Sequence, residues 1–330
     1  MQPDHPHPAP IPKGDDPLRW WKGAAGHTDL QHGTVHWPMV VLAVVLLLFA
    51  ARAPAVSATD DAGRTVSLEQ PAERIVSLSP HGTELLFAAG AGDRVVGVVS
   101  YSDYPAAAGK IPRVGGYDAL DLETILALQP DLVVGWESGN GPDVLERLES
   151  LGLTLFVTEP RRLEQVPASI EKLGRLAGSD AMARQAADHF QNRLQAITDD
   201  YSQRPAISVF YQVWDRPLMT VGGDHLISRI IERCGGRNVF AELSELAPTI
   251  SEEGVITANP RVIIASGMGE ERPEWLDDWH RWKSIDAVAR NQLHFIPPDL
   301  LQRPTPRALE GAERLCRALE QARHAYGEAR

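Results

Sequence analysis

The sequence has few of the residues and motifs on which most protein chemistry depends. It contains only two cysteines, and they lack the CxxC spacing of a thiol metal site. There is no GxSxG nucleophile elbow, no Walker phosphate loop and no GxGxxG motif after a strand. We therefore expect no catalytic residues and no resident cofactor.

Histidines are present but isolated from one another. A bound transition metal needs three or four converging ligands, and no pair of histidines in the folded part has HxH or HxxxH spacing. The isolated histidines of the folded part are His81, His225, His280 and His294. Ser79 and His81 could suggest a nucleophile with its base, but close sequence neighbours seldom meet in a triad and no acid is placed to orient His81. The sequence predicts no metal site.

Charge and composition argue against two further classes, nucleic-acid binders and multi-span membrane proteins. The apolar fraction of only 43% is too low for a multi-span membrane protein. The net charge of −12 argues against a nucleic-acid binder. The longest apolar run, residues 39–51, is too short for a comfortable membrane span. Small residues follow it up to Ala58, as a signal peptidase requires. We expect a disordered tail over 1–38 and a signal peptide cleaved after Ala58, with an uncleaved signal anchor as the alternative.

A long helix is predicted over residues 180–203, where glycine and proline are absent. Its apolar stripe consists of Met182, Ala186, Phe190, Leu194, Ile197 and Tyr201. The segments 123–134 and 253–264, on either side of it, repeat one pattern. Each has a glutamate, an apolar pair two residues later, a proline seven residues on and then an apolar run. This repeat indicates two similar lobes, although helix–proline–strand units also occur in α/β proteins generally.

Strands alternate with helices along both halves, which predicts an α/β fold with mostly parallel sheets. The predicted organisation is a tail and signal peptide over 1–58, an N-terminal lobe over 59–177, a rigid connecting helix over 178–203 and a C-terminal lobe over 204–330. A ligand cleft is expected between the lobes. Cys234 and Cys316 are expected to form a disulfide in an oxidising compartment.

Aromatic side chains follow the predicted strands, where parallel sheets bind ligands. In the first lobe they are Tyr101, Tyr104, Tyr117 and Trp136, and in the second Trp214. They would supply broad apolar contact area, although any one of them could instead fix its loop to the core. Asp299 and Arg303 would add polar contacts. Together these features indicate a binding protein.

Several motifs resemble the periplasmic substrate-binding proteins of cobalamin and iron-chelate ABC importers, whose lobes are joined by one rigid helix. The resemblance covers residues 74–322. The motifs are Leu78-Ser-Pro with Thr83-Glu84-Leu, Ser100-Tyr-Ser-Asp-Tyr-Pro105, Pro130-Asp-Leu-Val, Cys234-Gly-Gly with Asn238, and Asp299 with Arg303 and Pro306-Arg307.

The resemblance implies a periplasmic, monomeric protein that captures a cobalamin-type corrinoid and delivers it to an ABC permease dimer. The residues that it places on the ligand are Tyr101, Trp136, Asp299, Leu300, Leu301, Gln302 and Arg303, with Tyr117 where a tryptophan is expected. It also implies that Glu123 and Glu253 dock on the permease and that the two cysteines are paired. A purely local role for these glutamates, at the start of short helices, is the alternative.

Some positions depart from that pattern. Ala247 stands where an aromatic is expected, as does Leu300, and Met219 replaces a phenylalanine; Trp214 could compensate. A haem or ferric-siderophore binder of the same fold is therefore an alternative ligand class. An exported hydrolase or metal-dependent enzyme is the alternative from a different functional class.

Overall fold

The computed structural model describes residues 55–267, 269 and 271–328, all within one compact unit. The expected tail over 1–38 and the apolar run over 39–51 lie outside the described residues. None of the helices in the described part has the length and apolarity that a membrane crossing requires.

The N-terminal lobe begins with an antiparallel hairpin of β1 (Val56–Thr59) and β2 (Thr65–Leu68). A parallel sheet follows in the order β4-β3-β5-β6. Its strands are β3 (Ile75–Ser77), β4 (Val95–Val98), β5 (Leu132–Trp136) and β6 (Leu155–Thr158). The helices of this lobe are α1 (Pro80–Ala88), α2 (Leu122–Ala127), α3 (Glu137–Asn140), α4 (Pro142–Ser150) and α5 (Gln165–Leu176). The sheet strands are almost wholly buried, because helices cover both faces.

The helix α6 (Asp180–Tyr201) leads into the C-terminal lobe. That lobe has a second parallel sheet in the order β10-β7-β11-β12 and a short hairpin, β8 with β9. The strands are β7 (Ile207–Gln212), β8 (Trp214–Asp215), β9 (Leu218–Met219), β10 (Gly236–Asn238), β11 (Val262–Ala265) and β12 (Leu293–Phe295). The helices are α7 (Leu226–Arg233), α8 (Glu252–Ala258), α9 (Asp286–Ala289), α10 (Pro298–Leu301) and α11 (Ala308–Ala325).

Both sheets have the same strand order, with the second strand at one edge, then the first, the third and the fourth. The repeated segments form corresponding helices, α2 and α8. Asp121 caps α2 by accepting a backbone N–H, and Ser251 caps α8 in the same way. Both segments then pass through a residue with positive φ, Gln129 at 47° and Asn259 at 43°, immediately before a proline. The predicted two-lobe α/β fold is confirmed, and the sequence repeat corresponds to a repeated structural unit.

The long helix agrees with its predicted range to within two residues, but its apolar face begins differently. The buried residues are Ala183, Ala187, Phe190, Leu194 and Ile197. Met182, which the periodicity places on the stripe, is 59% exposed. The reason is the neighbouring helix: Gly174 of α5 has no Cβ, and one built there would lie 2.2 Å from the Cβ of Ala183. This close approach turns Ala183, rather than Met182, toward the core.

Ala58, after which the sequence predicts signal-peptide cleavage, lies inside strand β1. It pairs with Val66 of β2 and is buried. Cleavage at this point would remove three of the four residues of the strand. The cleavage point therefore stays a prediction, and the hairpin favours a mature chain that begins before Val56.

The structure contains the Cys234–Cys316 disulfide, with the two Cα atoms 4.7 Å apart. It joins the C-terminal end of α7 to the last helix, α11. Arg323, also on α11, is fully buried and donates hydrogen bonds to the carbonyl oxygens of Pro205 and Cys234. The last helix is thus fastened to the start of the C-terminal sheet and to α7.

Candidate ligand-binding cleft

The carboxyl ends of the two sheets face each other. Glu84, on the helix that follows β3, accepts hydrogen bonds from Arg303 and Arg307, which follow β12. Asp103, in the loop after β4, also pairs with Arg303. Since parallel sheets bind ligands beyond their carboxyl ends, the gap between the lobes is the candidate site.

Trp136, the last residue of β5, forms an aromatic wall with Tyr117 and His81. Its ring centroid lies 5.6 Å from that of Tyr117 and 5.2 Å from that of His81. Asn140 fixes the arrangement, because its Oδ1 accepts the N–H of Trp136 and its Nδ2 donates to the carbonyl of Tyr117, both at 2.7 Å. A Cβ at Gly139 would lie 1.9 Å from the Trp136 ring, so only glycine permits this packing.

Tyr101 stands at the rim of the N-terminal lobe in an unusual conformation. Its φ is 64°, in the left-handed region that bulky residues avoid, and its side chain is 72% exposed. The turn is fixed on either side, since Ser100 donates its N–H to the carbonyl of Gly115 and Ser102 is buried. A strained backbone that presents a tyrosine to solvent is a common feature of ligand sites.

Charged residues of both lobes form an interlobe charge cluster, which consists of Glu84, Asp103, Asp299, Arg303 and Arg307. Arg307 binds both oxygens of Glu84, at 2.9 and 2.6 Å. Arg303 contacts Glu84 and Asp103 at 3.2 Å and Asp299 at 2.9 Å. Burial raises the pKa of Asp299 above its ordinary value. The positive charges of Arg303 and Arg307 oppose this rise, whereas the nearby carboxylates of Asp103 and Glu84 add to it. The predicted Asp299–Arg303 pair is therefore present, within a larger network.

The predicted site residues between Asp299 and Arg303 differ in how deeply their side chains are buried. Leu300 and Leu301 pack in the main core, and a Cβ at Gly311 would meet the backbone carbonyl of Leu300 at 2.0 Å. Gln302 is exposed. The structure thus puts the two leucine side chains in the core rather than on the cleft wall, because α10 packs tightly on α11.

Trp214 lies on the β8–β9 hairpin of the C-terminal lobe, apart from the Tyr117–Trp136 pair. Its Nε1 donates to the carbonyl of Arg216. Met219, its partner in the hairpin, pairs in turn with Thr249. Ala247 belongs to the same loop as Thr249. Two of the departures from the expected aromatic pattern, Met219 and Ala247, therefore lie near Trp214, the residue that could compensate for them.

His81 belongs to the aromatic wall, and its surroundings do not favour the nucleophile-and-base pair that the sequence could suggest. Burial, and after it the positive charge of Arg303, lowers the pKa of His81 to about 3, so the imidazole is neutral. Ser79 Oγ lies 3.5 Å from His81 Nε2, but it caps α1 by accepting the N–H of Gly82. These contacts serve helix formation rather than nucleophilic chemistry. Within residues 55–267 and 271–328, no group of three or more histidine, cysteine or acidic side chains is arranged to hold a metal ion.

The two glutamates predicted to dock on a partner occupy corresponding positions. Glu123 is the second residue of α2 and Glu253 the second residue of α8, and both are exposed. The adjacent Glu252 is engaged by Arg281 and by Trp282 Nε1. Hydrogen bonds from the helix backbone, and then from Ser251, lower the pKa of Glu253 below its ordinary value. Each lobe therefore presents one exposed glutamate at the same structural position.

Sequence reasoning did not assign Glu84, His81 or Arg307 to the site by their chemistry. The signal was available, because Glu84 and His81 directly follow the carboxyl end of β3. Their partners Trp136, Arg303 and Arg307 come much later in the chain. No sequence pattern shows which of these side chains meet.

Two parallel-sheet lobes joined by one helix, with aromatic and charged side chains at facing strand ends, define a two-lobed solute-binding protein. The family model for periplasmic binding proteins matches residues 75–300. The chain belongs to this family.

Relatives and solved structures agree with the family assignment. The vitamin B12-binding protein of Vibrio cholerae serotype O1 is 36% identical over 251 residues, which cover 76% of this chain and 90% of that protein. The crystal structure of the periplasmic vitamin B12 binding protein BtuF of Vibrio cholerae matches with a TM-score of 0.71 and 36% identity, over 77% of this chain and 98% of that one. The periplasmic heme-binding protein RhuT from Roseiflexus sp. RS-1 matches with a TM-score of 0.66 and 25% identity, over 76% and 98%.

Proposed function

We propose that this protein captures a cobalamin-type corrinoid in the periplasm and delivers it to the permease of an ABC importer. The observation that carries the proposal is the 36% sequence identity to a vitamin B12-binding protein, over nine-tenths of the length of that relative. The aromatic wall of Trp136 and Tyr117, with Tyr101 at the rim, supports it. A broad ligand needs flat apolar surfaces for affinity and a few polar groups for orientation.

Binding, in this proposal, involves no chemical change of the ligand and no resident cofactor. His81 is neutral and packed against Trp136, and Ser79 is committed to capping α1. Cobalamin recovered chemically unchanged after long incubation with the protein supports this function. Conversion of the ligand would favour the exported-enzyme alternative.

The proposal also covers export and docking. The signal peptide would bring the chain to the periplasm, where a single monomer would engage a permease dimer. Glu123 and Glu253 would each contact one permease subunit, because the repeat places them at equivalent positions of the two lobes.

The second candidate is a haem or ferric-siderophore binder. The similarity to a heme-binding protein of the same fold favours it, as do the positions where an expected aromatic is absent, at Ala247 and Leu300. Titration with cyanocobalamin, haemin and a ferric siderophore separates the candidates. Tight binding of haemin or the siderophore without cyanocobalamin binding would replace the first proposal with the second.

Replacement of the wall tryptophan tests the site itself. Trp136→Ala should raise the Kd for cyanocobalamin by roughly thirtyfold, the equivalent of about 2 kcal/mol for a buried aromatic contact. Calorimetric titration measures the change. Trp275→Ala, which removes another half-buried tryptophan from the C-terminal lobe, is the matched control and should leave the Kd unchanged. Equal effects of the two substitutions would contradict the assignment.

A further inference from the structure

The two lobes contact each other across the cleft through buried charged side chains that lie far apart in the sequence. The backbone passes from one sheet to the other once, through α6. Glu84 of the N-terminal lobe lies 219 residues from Arg303 and 223 from Arg307, both in the C-terminal lobe. These three side chains therefore connect the two lobes at a second place, in addition to the backbone connection through α6.

Burial makes this contact different from an ordinary surface ion pair. The side chain of Glu84 is 2% exposed, that of Arg303 15% and that of Arg307 17%. Within the described residues, every hydrogen bond to the Glu84 carboxylate comes from the opposite lobe. Separation of the lobes would break all of these hydrogen bonds at once.

The same contact is joined to the loop that carries Tyr101. The guanidinium of Arg307 lies 4.1 Å from the centroid of the Tyr104 ring, in a cation–π arrangement. Asp103, in the same loop, accepts from Arg303 and is 58% exposed. Arg303 lies 2.9 Å from Asp299 and 3.2 Å from both Glu84 and Asp103. Asp103 is the most exposed of these three partners, so water screens its contact with Arg303 most.

We propose that Glu84, Arg303 and Arg307 form an interlobe clasp that sets the width of the cleft and aims Arg303 at the ligand. Glu84 and Arg307 are positioning residues for binding, and a polar acceptor of the ligand takes the place of Asp103 on Arg303. The ligand part of this inference rests on the proposed function, whereas the width of the cleft does not.

The distance between the lobes can be measured without a ligand. The only two cysteines are joined in the disulfide, so cysteines introduced for spin labels react selectively. Glu146→Cys on α4 and Lys283→Cys in the C-terminal lobe are exposed labelling positions. We expect a narrow distance distribution with the clasp intact, and a broader one in Glu84→Gln and in Arg307→Met.

Cyanocobalamin affinity is the second measurement on the same variants. Each single substitution should raise the Kd by about tenfold, and the double variant should be no weaker than either single one, because the residues act as a unit. Arg229→Met with Glu232→Gln removes an ion pair within α7 that does not involve the clasp and serves as the control, with neither readout changed. Arg307→Lys keeps the charge without the paired hydrogen bonds, should retain the fold and should give intermediate values of both readouts.

The outcomes separate the two proposals. If the distance distribution broadens in the variants but cyanocobalamin binds neither the unsubstituted protein nor any variant, the clasp is supported and the proposed ligand is wrong. A broadened distribution with unchanged Kd overturns the positioning role. A distribution as narrow in Glu84→Gln and Arg307→Met as in the unsubstituted protein overturns the clasp itself.

Discussion

Two histidines are held neutral by their surroundings in this protein. Burial lowers the pKa of His225 to about 4, as it does that of His81 to about 3. His225 has a structural reason to resist protonation, because its Nδ1 accepts the N–H of Ile227 and caps α7. A proton on Nδ1 would remove that hydrogen bond. Neither histidine therefore contributes charge near neutral pH.

The sign of the resulting pH dependence follows from linkage. An unfolded histidine titrates near about pH 6.5, so below that pH the unfolded chain binds protons that the folded protein does not. The free energy of unfolding should be highest above this pH and fall as the pH decreases toward 4 and 3. At about pH 5 each of these two histidines should lower the free energy of unfolding by about 2 kcal/mol relative to neutral pH. Urea unfolding at neutral and acid pH measures the loss.

Substitution assigns this loss to the two residues. His225→Asn keeps a capping side chain without a titrating ring, and His81→Asn likewise removes the ring. Each should reduce the difference in stability between neutral and acid pH, whereas His189→Asn, at an exposed position of α6, should not. The same pH dependence in all three variants would show that other groups cause the acid loss.

Single residues also mark the limit of sequence reasoning about the site. Trp136 and Tyr101 could be proposed for the cleft, because they lie at the carboxyl ends of predicted strands, although either could instead have fixed its loop to the core. Glu84 could not, since nothing in the sequence shows that this acid of the second helical turn is buried or which cation it contacts. Its partner Arg307 becomes apparent only when the two lobes are brought face to face.

Among the helices, α2 and α8 form a structurally matched pair. They share the cap, the position of the glutamate and the positive-φ residue before proline. Arg281 and Trp282 engage Glu252, which leaves Glu253 as the outward acid of α8. The cap alone explains an acid at each helix start but does not explain why both acids are exposed at matched positions.

Charge reversal at these helices should separate docking from ligand capture. Glu123→Arg with Glu253→Arg should abolish assembly with the permease while the Kd for cyanocobalamin stays the same. Each single substitution should weaken assembly more at low salt than at high salt, because exposed charges are screened. Glu146→Arg with Asp278→Arg makes the same charge change at one exposed position per lobe and should have no effect. Wild-type assembly of the first double variant would leave the glutamates as helix caps.

The element α6 shows which parts of a helix a sequence determines. Its range could be predicted because nothing in 180–203 opposes a helix. The start of its buried face could not, because that depends on Gly174, which lies in a different helix. A periodic pattern indicates that a face is buried, and the neighbouring helix decides which residues at its edge join the core.

For the whole molecule, the alternation of strands and helices and the internal repeat were enough to predict two parallel-sheet lobes. The strand order within each sheet and the facing of the two carboxyl ends required the structure. Together, one connecting helix and the interlobe clasp restrict how far the lobes can move. Binding proteins joined by one rigid element show smaller hinge motions than those joined by several strands.

Small-angle scattering should therefore give nearly the same radius of gyration for the free protein and for the complex with cyanocobalamin. The physical reason is that α6 spans about 33 Å as a single helix, at about 1.5 Å per residue, and cannot bend like a pair of loops. The Glu84→Gln variant, measured in parallel, should show a larger change in radius of gyration on binding than the unsubstituted protein. A large compaction of the unsubstituted protein would contradict a rigid connection.

The last helix, α11, has a consequence for the order in which a newly made chain can mature. Its Cys316 closes the disulfide, its Arg323 binds the carbonyls that precede the C-terminal sheet, and Arg307 at its start reaches Glu84 in the other lobe. A polypeptide still emerging from the ribosome or the export channel has none of these contacts. Without them the lobes lack the contacts that set the width of the cleft. Chains whose synthesis stops before α11 should therefore be unable to bind a ligand and so cannot compete with finished copies for it.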